Sequence, residues 1–355
     1  MAKTGRVAER PLGGPGFDVV EKAARAIQRY GMFEPGDAVL VALSGGPDST
    51  CLFDVLRRLS AGLNLKLGVA HVDHGLNERS SEVAARVSHA GAAAGFDVHL
   101  FKAPDLAGPN LHARARDLRY AFFTDIAADL DATVIATGHT LDDRVETTMA
   151  RLIHGAGTRG LAGIAPREAG RAEGSAARVR PLIWTRRTET RAYCDACGLE
   201  YEDDPANEDT RFERVAVRRE ILGAIEERWG DGAIKAMAAS SERLSEDAGT
   251  LDDMTSVAWE AVAASSEAGT SLDRVRLMEL PRSLRRRILE RAIGRVRDRN
   301  AGIDEVLDAL EDRSGVAIEP GKRWSIASGM TVEAHPEHFE ITMGPPDEPP
   351  VTGES

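Results

Sequence analysis

Asp48 lies just after a glycine pair and among three hydroxyls in the stretch ALSGGPDST, residues 42–50. Gly45 and Gly46 carry no Cβ, so their N–H groups can approach a ligand closely and the backbone there can take positive φ. A helix starting just beyond them offers free N–H donors and the positive end of its dipole, which together make an anion site. Ser44, Ser49 and Thr50 add hydroxyls. Phosphate is the natural ligand. A bare Gly-Gly is as readily an ordinary strand-to-helix turn; the whole of SGGPDS behind a β-rich run is more specific. With no lysine in the loop, this is not the Gly-x4-Gly-Lys-Ser/Thr pattern. Asp48 points instead to a Mg²⁺ shared with the phosphates.

A second constellation is ATGHTLDDRVETTMARLIHGAGTRGLAG, residues 136–163. His139 and Asp143 are four apart at a helix start and share a face, and Glu146 follows one turn later on the same side. Acids at a helix start also cap it and complement its dipole. The added histidine at the end of a β run and the second carboxylate favour a site.

These residues need elements that place them. From 38 to about 154 short apolar runs (AVLVALS, LKLGVAHV, DVHLFKA, TVIATGH) alternate with longer helical stretches. That alternation predicts βαβ units, a parallel sheet and a doubly wound α/β domain. In such sheets ligands bind beyond the carboxyl ends of the strands, where both constellations fall. Residues 155–180 have no clear period and read as a loop. TETRAYCDACGL reads as a helix stopped near Gly198. From 231 the chain turns helical and Arg-rich, with a β-like tail, RWSIASGMTVEAHPEHFEITM. The expected organisation is a disordered leader at 1–20, a nucleotide-binding domain at 21–230, a smaller mainly helical domain at 231–345 and a disordered tail at 346–355.

The chain has 355 residues, 42% of them hydrophobic, enough for two or three cores. No apolar run approaches the ~18 residues that span a bilayer, so no membrane association is expected. The first residues lack the apolar stretch of an export signal, and three cysteines (Cys51, Cys194, Cys197) make no disulfide framework; both suit the cytoplasm. A net charge of −12 argues weakly against a nucleic-acid partner, but local arginine clusters matter more than the total. One such cluster is LPRSLRRRILERAIGRVRDRN, 280–300: Leu284, Ile288, Ala292 and Val296 form one apolar face, and arginines including Arg285 and Arg286 project elsewhere.

The hexapeptide SGGPDS resembles the signature of the N-type ATP pyrophosphatases, the PP-loop family. HVDHGL (71–76), PNLHARARDLRYAFF (109–123), GHTLDDRVETTMARL (138–152), RGLAGI (159–164), RPLI (180–183) and DDPANEDTRFERVAVRREIL (203–222) follow in the order and spacing of tRNA(Ile)-lysidine synthetases. The resemblance is strong over about 38–225 and weaker over 230–345. It implies that ATP adenylates O2 of the wobble cytidine, C34, of the isoleucine tRNA with a CAU anticodon. The ε-amine of free lysine then attacks C2 and displaces AMP. It also implies roles. Ser44, Gly45, Gly46, Asp48 and Ser49 hold the ATP phosphates and Mg²⁺. His139 and Asp143 form the catalytic pair, and Arg119 stands near the reacting nucleotide. Glu146 and Asp143 receive the lysine, with Asp143 able to accept its proton. Arg151, Arg159, Arg214, Arg218, Arg285 and Arg286 are the expected tRNA contacts. A homodimer is left open. The chain departs from the family pattern at Asn77, His154 and Val215, all in expected RNA-facing segments.

The main alternative is a tRNA cytidine thiolase of the same superfamily, which would need cysteines for sulfur transfer or an iron–sulfur cluster. Cys194 and Cys197 form a Cys-x-x-Cys, but inside a helix, where such thiols commonly just pack. A small-molecule amidating ligase would not need the Arg-rich C-terminal region. A non-catalytic nucleotide-binding module would not need His139 and Asp143.

Overall fold

The computed structural model describes residues 14–73, 80–103, 111–170, 175–202, 213–265, 269–294, 307, 320–326 and 330–343. The chain groups into two compact units, Met1–Ser245 and Glu246–Ser355. The boundary expected near 230 thus compares with a division after Ser245. The first described helix, α1 (Pro15–Arg29), starts inside the stretch expected to be a disordered leader.

The first unit is built on six strands in the order β3-β2-β1-β4-β6-β5: β1 (Ala38–Ala42), β2 (Lys66–Asp73), β3 (Val98–Lys102), β4 (Val134–Ala136), β5 (Arg167–Glu168) and β6 (Ala177–Val179). All neighbours are parallel except the short β5. Helices α2 (Pro47–Leu63), α3 (Ser80–Ala93), α4 (Leu111–Asp129) and α5 (Leu141–Ile153) alternate with the strands as the apolar periodicity predicts. The expected loop at 155–180 is instead partly ordered into α6 (Thr158–Leu161), β5 and β6. Elements this short leave too little sequence for a period to show.

Both faces of the sheet are covered. Val39, Val41, Val134 and Ala136 pack with residues of α1, α2 and α7 (Arg187–Cys197). Leu40 and Ile135 face the other way, onto Phe122, Phe123 and Ala127 of α4. Burying each such aliphatic side chain is worth roughly 1.5–3 kcal/mol, which is why these strands read as continuous apolar runs. The chain leaves β1 toward β2 on one side and returns to β4 on the other. The carboxyl ends of β1 and β4 therefore flank the point where strand order reverses, the crevice in which such sheets bind ligands.

The rest of the first unit comprises α8 (Glu213–Ala216), a π-helical turn (Val217–Leu222), α9 (Gly223–Trp229) and the start of α10 (Asp231–Val262). The second unit has a five-stranded antiparallel sheet in the order β7-β8-β11-β10-β9: β7 (Ala263–Ser265), β8 (Gly269–Asp273), β9 (Arg323–Ile326), β10 (Met330–Ala334) and β11 (His338–Met343). The β-like tail supplies its last three strands. The first two are short, pair with each other, and join the rest only through β8 on the distant β11. Helices α11 (Arg274–Glu279) and α12 (Arg282–Gly294) complete the unit. The expected apolar face of α12 is buried at Leu284, Ile288 and Ala292, joined by Leu289 and Ile293; Val296 lies outside the described residues.

Candidate active site

The phosphate loop follows β1. Gly45 has φ +86°, and a Cβ there would fall 2.5 Å from Val83 Cγ1, so both backbone and space require glycine. Gly46 caps α2 in an extended conformation with no side-chain cap, which leaves the helix's positive N-terminus facing the loop. Ser49 is buried and shapes the loop: its hydroxyl donates to the Gly46 carbonyl at 3.0 Å, accepts from Ser44 N–H at 3.1 Å and lies 3.0 Å from Ser44 Oγ. Ser44 is exposed. Glu202 N–H donates to the Gly45 carbonyl at 3.0 Å, and its carboxylate pairs with Arg86.

The loop after β4 meets this one at close quarters. A Cβ on Gly138 would stand 3.0 Å from the carbonyl carbon of Asp48 and from Ser49 N. Gly138 thereby lets His139 follow directly, and Thr137 Oγ1 lies 2.9 Å from its Nδ1. Thr140 then caps α5. Asp143 N–H donates to Thr140 Oγ1, while Thr140 N–H and hydroxyl each donate to Asp143 Oδ2 at 2.7 Å. The helix-cap role and the site role of Asp143 coexist, one on each carboxylate oxygen.

The other oxygen, Oδ1, accepts from Arg187 Nη2 and from Arg214 Nη2 at 2.6 Å. Glu146, fully buried, accepts from Arg187, from Arg214 Nε at 2.9 Å and from Arg218 Nε at 2.7 Å. Arg187 also reaches Asp48, with Nε 3.5 Å from Oδ2, and Thr190 donates to Asp48 Oδ1. One arginine therefore joins the phosphate loop to the carboxylate pair.

The electrostatics follow. Burial opposes ionisation of Asp143, but Arg187 and Arg214, then His139, outweigh it and hold its carboxyl well below the usual carboxylate range. Glu146 is likewise lowered: burial is overcome chiefly by Arg187, with help from Arg218. Asp48 moves the other way. Burial pushes it up to about 6 against the pull of Arg187 and Thr190. An Asp that resists ionising is one short of positive charge. Among the described residues no group of three or more His, Cys, Asp and Glu side chains could hold a metal ion. A single carboxylate beside the phosphate loop is a donor set that would suit a Mg²⁺ completed by phosphate oxygens.

Arg187 and Gly138 were not singled out in the sequence. The signal for the first was present. Arg186 and Arg187 open α7, the helix end that the dipole makes unfavourable for cations, so they require carboxylates nearby. Arg186 has its own, in Asp142, Glu226 and Asp231.

Of the expected tRNA contacts, Arg214 and Arg218 lie against Asp143 and Glu146, Arg218 within the π-helical turn, a wide turn frequent at functional sites. Arg151 holds the carbonyls of Gly160 and Gly163 at 3.0 Å each. Gly163, at φ +69°, sits where a Cβ would meet Thr148 Oγ1 at 2.7 Å, which accounts for the second glycine of RGLAGI. Arg159 and Arg119 are exposed; Arg119 lies on α4 close enough for its charge to be felt at His71. Buried His71 donates from Nδ1 to the Leu43 carbonyl at 2.8 Å, and burial lowers its pKa. His154, one of the three departures, meets Glu213, and Val215 is buried; Asn77 lies outside the described residues. Arg285 and Arg286 are half-exposed on α12 in the second unit.

Comparison with known proteins shows the family. A family model described as a PP-loop domain matches residues 18–225. A tRNA(Ile)-lysidine synthase of Symbiobacterium thermophilum is 36% identical over 90% of this chain and 70% of its own length. One of Chlorobaculum tepidum is 32% identical over 92% and 98%. The U34-tRNA thiolase NcsA of Methanococcus maripaludis, solved with its 4Fe–4S cluster, shares the fold at a TM-score of 0.55 and 17% identity, covering 65% of this chain and 78% of its own. An open helix N-terminus behind SGGPDS, a histidine and two carboxylates gathered at the same strand ends, and these relatives lead to one conclusion: the chain belongs to the PP-loop family and, within it, to the tRNA(Ile)-lysidine synthases.

Proposed function

We propose that the chain joins free lysine to C2 of the wobble cytidine of the CAU-anticodon isoleucine tRNA, with ATP converted to AMP and pyrophosphate. The observation that carries this reading is Arg187. It touches Asp48 beside the phosphate loop and both Asp143 and Glu146, so the phosphate loop and the carboxylate pair share one ion network. A nucleotide activating a carbonyl oxygen and an incoming amine need that adjacency.

The glycine loop and the α2 N-terminus would bind the ATP phosphates. Asp48 would hold Mg²⁺ there, and the ion supplies positive charge to the departing pyrophosphate. Asp143 and Glu146 would hold the lysine ammonium. As it stands Asp143 is a poor proton acceptor, because two arginines stabilise its ionised form; its first task is to orient the amine. His139 and Arg119 would face the cytidine, and Arg151, Arg159, Arg285 and Arg286 would contact RNA. The second unit would then be a tRNA-binding domain. No described helix is long and apolar enough to cross a membrane, and a cytoplasmic site of action belongs to the same proposal.

The rival thiolase chemistry needs thiolates. Cys51 and Cys194 are buried, and burial pushes the first well above its ordinary value and the second up to about 12. The test is to incubate the protein with ATP, isotope-labelled lysine and CAU-anticodon transcripts of isoleucine and methionine tRNA. Label confined to the isoleucine transcript, with AMP and pyrophosphate released, is expected; ATP-dependent sulfur incorporation instead would replace this reading.

A further inference from the structure

Glu146 and Asp143 are already saturated with cations. Arg187, Arg214 and Arg218 all reach Glu146, and the first two also reach Asp143. The proposed reaction puts a substrate ammonium in the same place. Asp143 and Glu146 together meet three guanidinium groups, with Asp48 joined to them through Arg187, so the buried pair has no shortage of positive charge. An ammonium added to that set leaves uncompensated positive charge around a fully buried glutamate, whereas exchange of the ammonium for one guanidinium leaves the net charge as it was.

Geometry selects which one. Arg187 opens α7, is tied to Asp48 as well, and has a side chain only 20% exposed. Arg218 bonds Glu146 through both Nε and Nη2. Arg214 spans the two carboxylates, Nε on Glu146 at 2.9 Å and Nη2 on Asp143 at 2.6 Å, and at 37% exposure it is the most open of the three. It stands on the four-residue α8, joined to a π-helical turn whose hydrogen-bond geometry is less regular than an α-helix.

We infer that Arg214 holds the place of the substrate ammonium between Asp143 and Glu146, and that lysine binds by displacing it. This rests on the lysine-ligating reading above. It also gives the site a filter: an amino acid with a neutral side chain cannot replace the cation that both buried carboxylates would lose, so it gains nothing from the exchange.

Equilibrium dialysis of labelled lysine against the whole chain, without RNA, tests this. Arg214→Gln, which empties the position, should bind lysine at least about tenfold tighter than the wild type, and Arg214→Lys, which refills it with a cation, should not. A well-folded Arg214→Gln protein that binds lysine no better than wild type overturns the inference. Should that variant not fold, the Nε–H signals of the wild-type arginines decide, assigned with Arg214→Lys. Saturating lysine should shift the Arg214 signal and leave that of Arg187 near its place; an unmoved Arg214 signal overturns the displacement. A wild-type chain that never transfers lysine to tRNA sinks the ligation reading itself. Transfer by the wild type with no gain in Arg214→Gln sinks only the displacement.

Discussion

Arg187 donates to a glutamate that has no exposed surface: its Nη1 meets Oε1 of Glu146, whose side chain is 0% exposed. Its loss takes one of three guanidinium groups from that buried carboxylate; Arg214 and Arg218 remain, so the cost stays below the roughly 3–5 kcal/mol of a buried charge left with no partner. Arg187→Ala should therefore lower the urea midpoint of the first unit by several tenths molar or more and abolish lysine transfer. Arg187→Lys keeps the charge but loses the fork that bridges three carboxylates. It should fold near normally and remain severely impaired in transfer, and urea melts paired with transfer assays separate the two effects. Full activity in Arg187→Lys would sink the bridging role.

Gly138→Ala tests whether the loop after β4 sets the shape of the phosphate loop. The new methyl would meet backbone of Asp48 and Ser49 at 3.0–3.1 Å, and backbone yields less readily than a side-chain end. A shift of a few tenths of an ångström in the α2 N-terminus should weaken ATP binding by roughly tenfold, about 1.4 kcal/mol. Lysine binding should change less. Calorimetric titration with each ligand separates the two, and an unchanged ATP affinity would mean the loops adjust independently.

Asp48→Asn carries a pH signature. The folded-state pKa of Asp48 is raised to about 6, so its ionised form is disfavoured in the fold and removing the charge stabilises it at higher pH. Without nucleotide or metal, Asp48→Asn should be more stable than wild type at pH 8, by about 1–3 kcal/mol at most. The difference should shrink as the pH falls through 6 toward 4, where the wild-type carboxyl takes up its proton. Asp143 and Glu146, shifted downward, lose stabilising charge on acidification in both proteins and cancel from the comparison. Pyrophosphate release should nearly cease in the variant. Melting curves from pH 5 to 8 that stay parallel would rule out the buried-carboxylate account.

The strands and helices that carry the site were legible because each is long enough to show a period: β1, β2 and α5 read directly from apolar spacing. So did the phosphate loop, whose glycine pair, hydroxyls and aspartate have few other uses together. Arg187 was not legible in that way, since its partners Asp48, Asp143 and Glu146 are distant in sequence and meet only when α7 packs beside α2 and α5. Arg214 and Arg218, expected as tRNA contacts, also lie against buried carboxylates, and those partners are too far off in sequence for any local pattern to announce. Strands β6, β7 and β8 were missed for a simpler reason: two or three alternations cannot be told from loop.

Replacing both Cys194 and Cys197 with Ala should leave lysine transfer intact. Cys194 is fully buried and donates to the Pro47 carbonyl at 3.4 Å, and Cys197 is partly exposed on the next turn of α7. The loss should be one of packing, on the order of 1–2 kcal/mol for the pair, visible as a lower melting temperature. Activity lost from a folded double variant, or iron–sulfur absorbance in anaerobically purified wild type, would favour sulfur chemistry.

The RNA footprint proposed for the second unit can be tested against arginines of α12 that have structural partners. Arg287 is buried and pairs with Asp252, and Arg291 stacks over Trp259 at 4.8 Å and donates to Ser256. These two fasten α12 to α10. Arg285 and Arg286 are half-exposed on the same helix, so their charge reaches solvent. Arg285→Glu with Arg286→Glu should leave the melting temperature and ATP affinity unchanged. It should weaken tRNA binding whatever the anticodon, because backbone contacts carry no sequence information. The slope of log affinity against log salt should flatten by roughly 0.7–0.9 for each phosphate that is no longer neutralised. Arg287→Glu is the control of opposite character: it sets two carboxylates together in a buried place and should lower the melting temperature before it changes any salt slope. If the double variant keeps the wild-type affinity and slope, α12 is a structural helix, and the RNA contacts must be sought at Arg151, Arg159, Arg214 and Arg218 on the first unit.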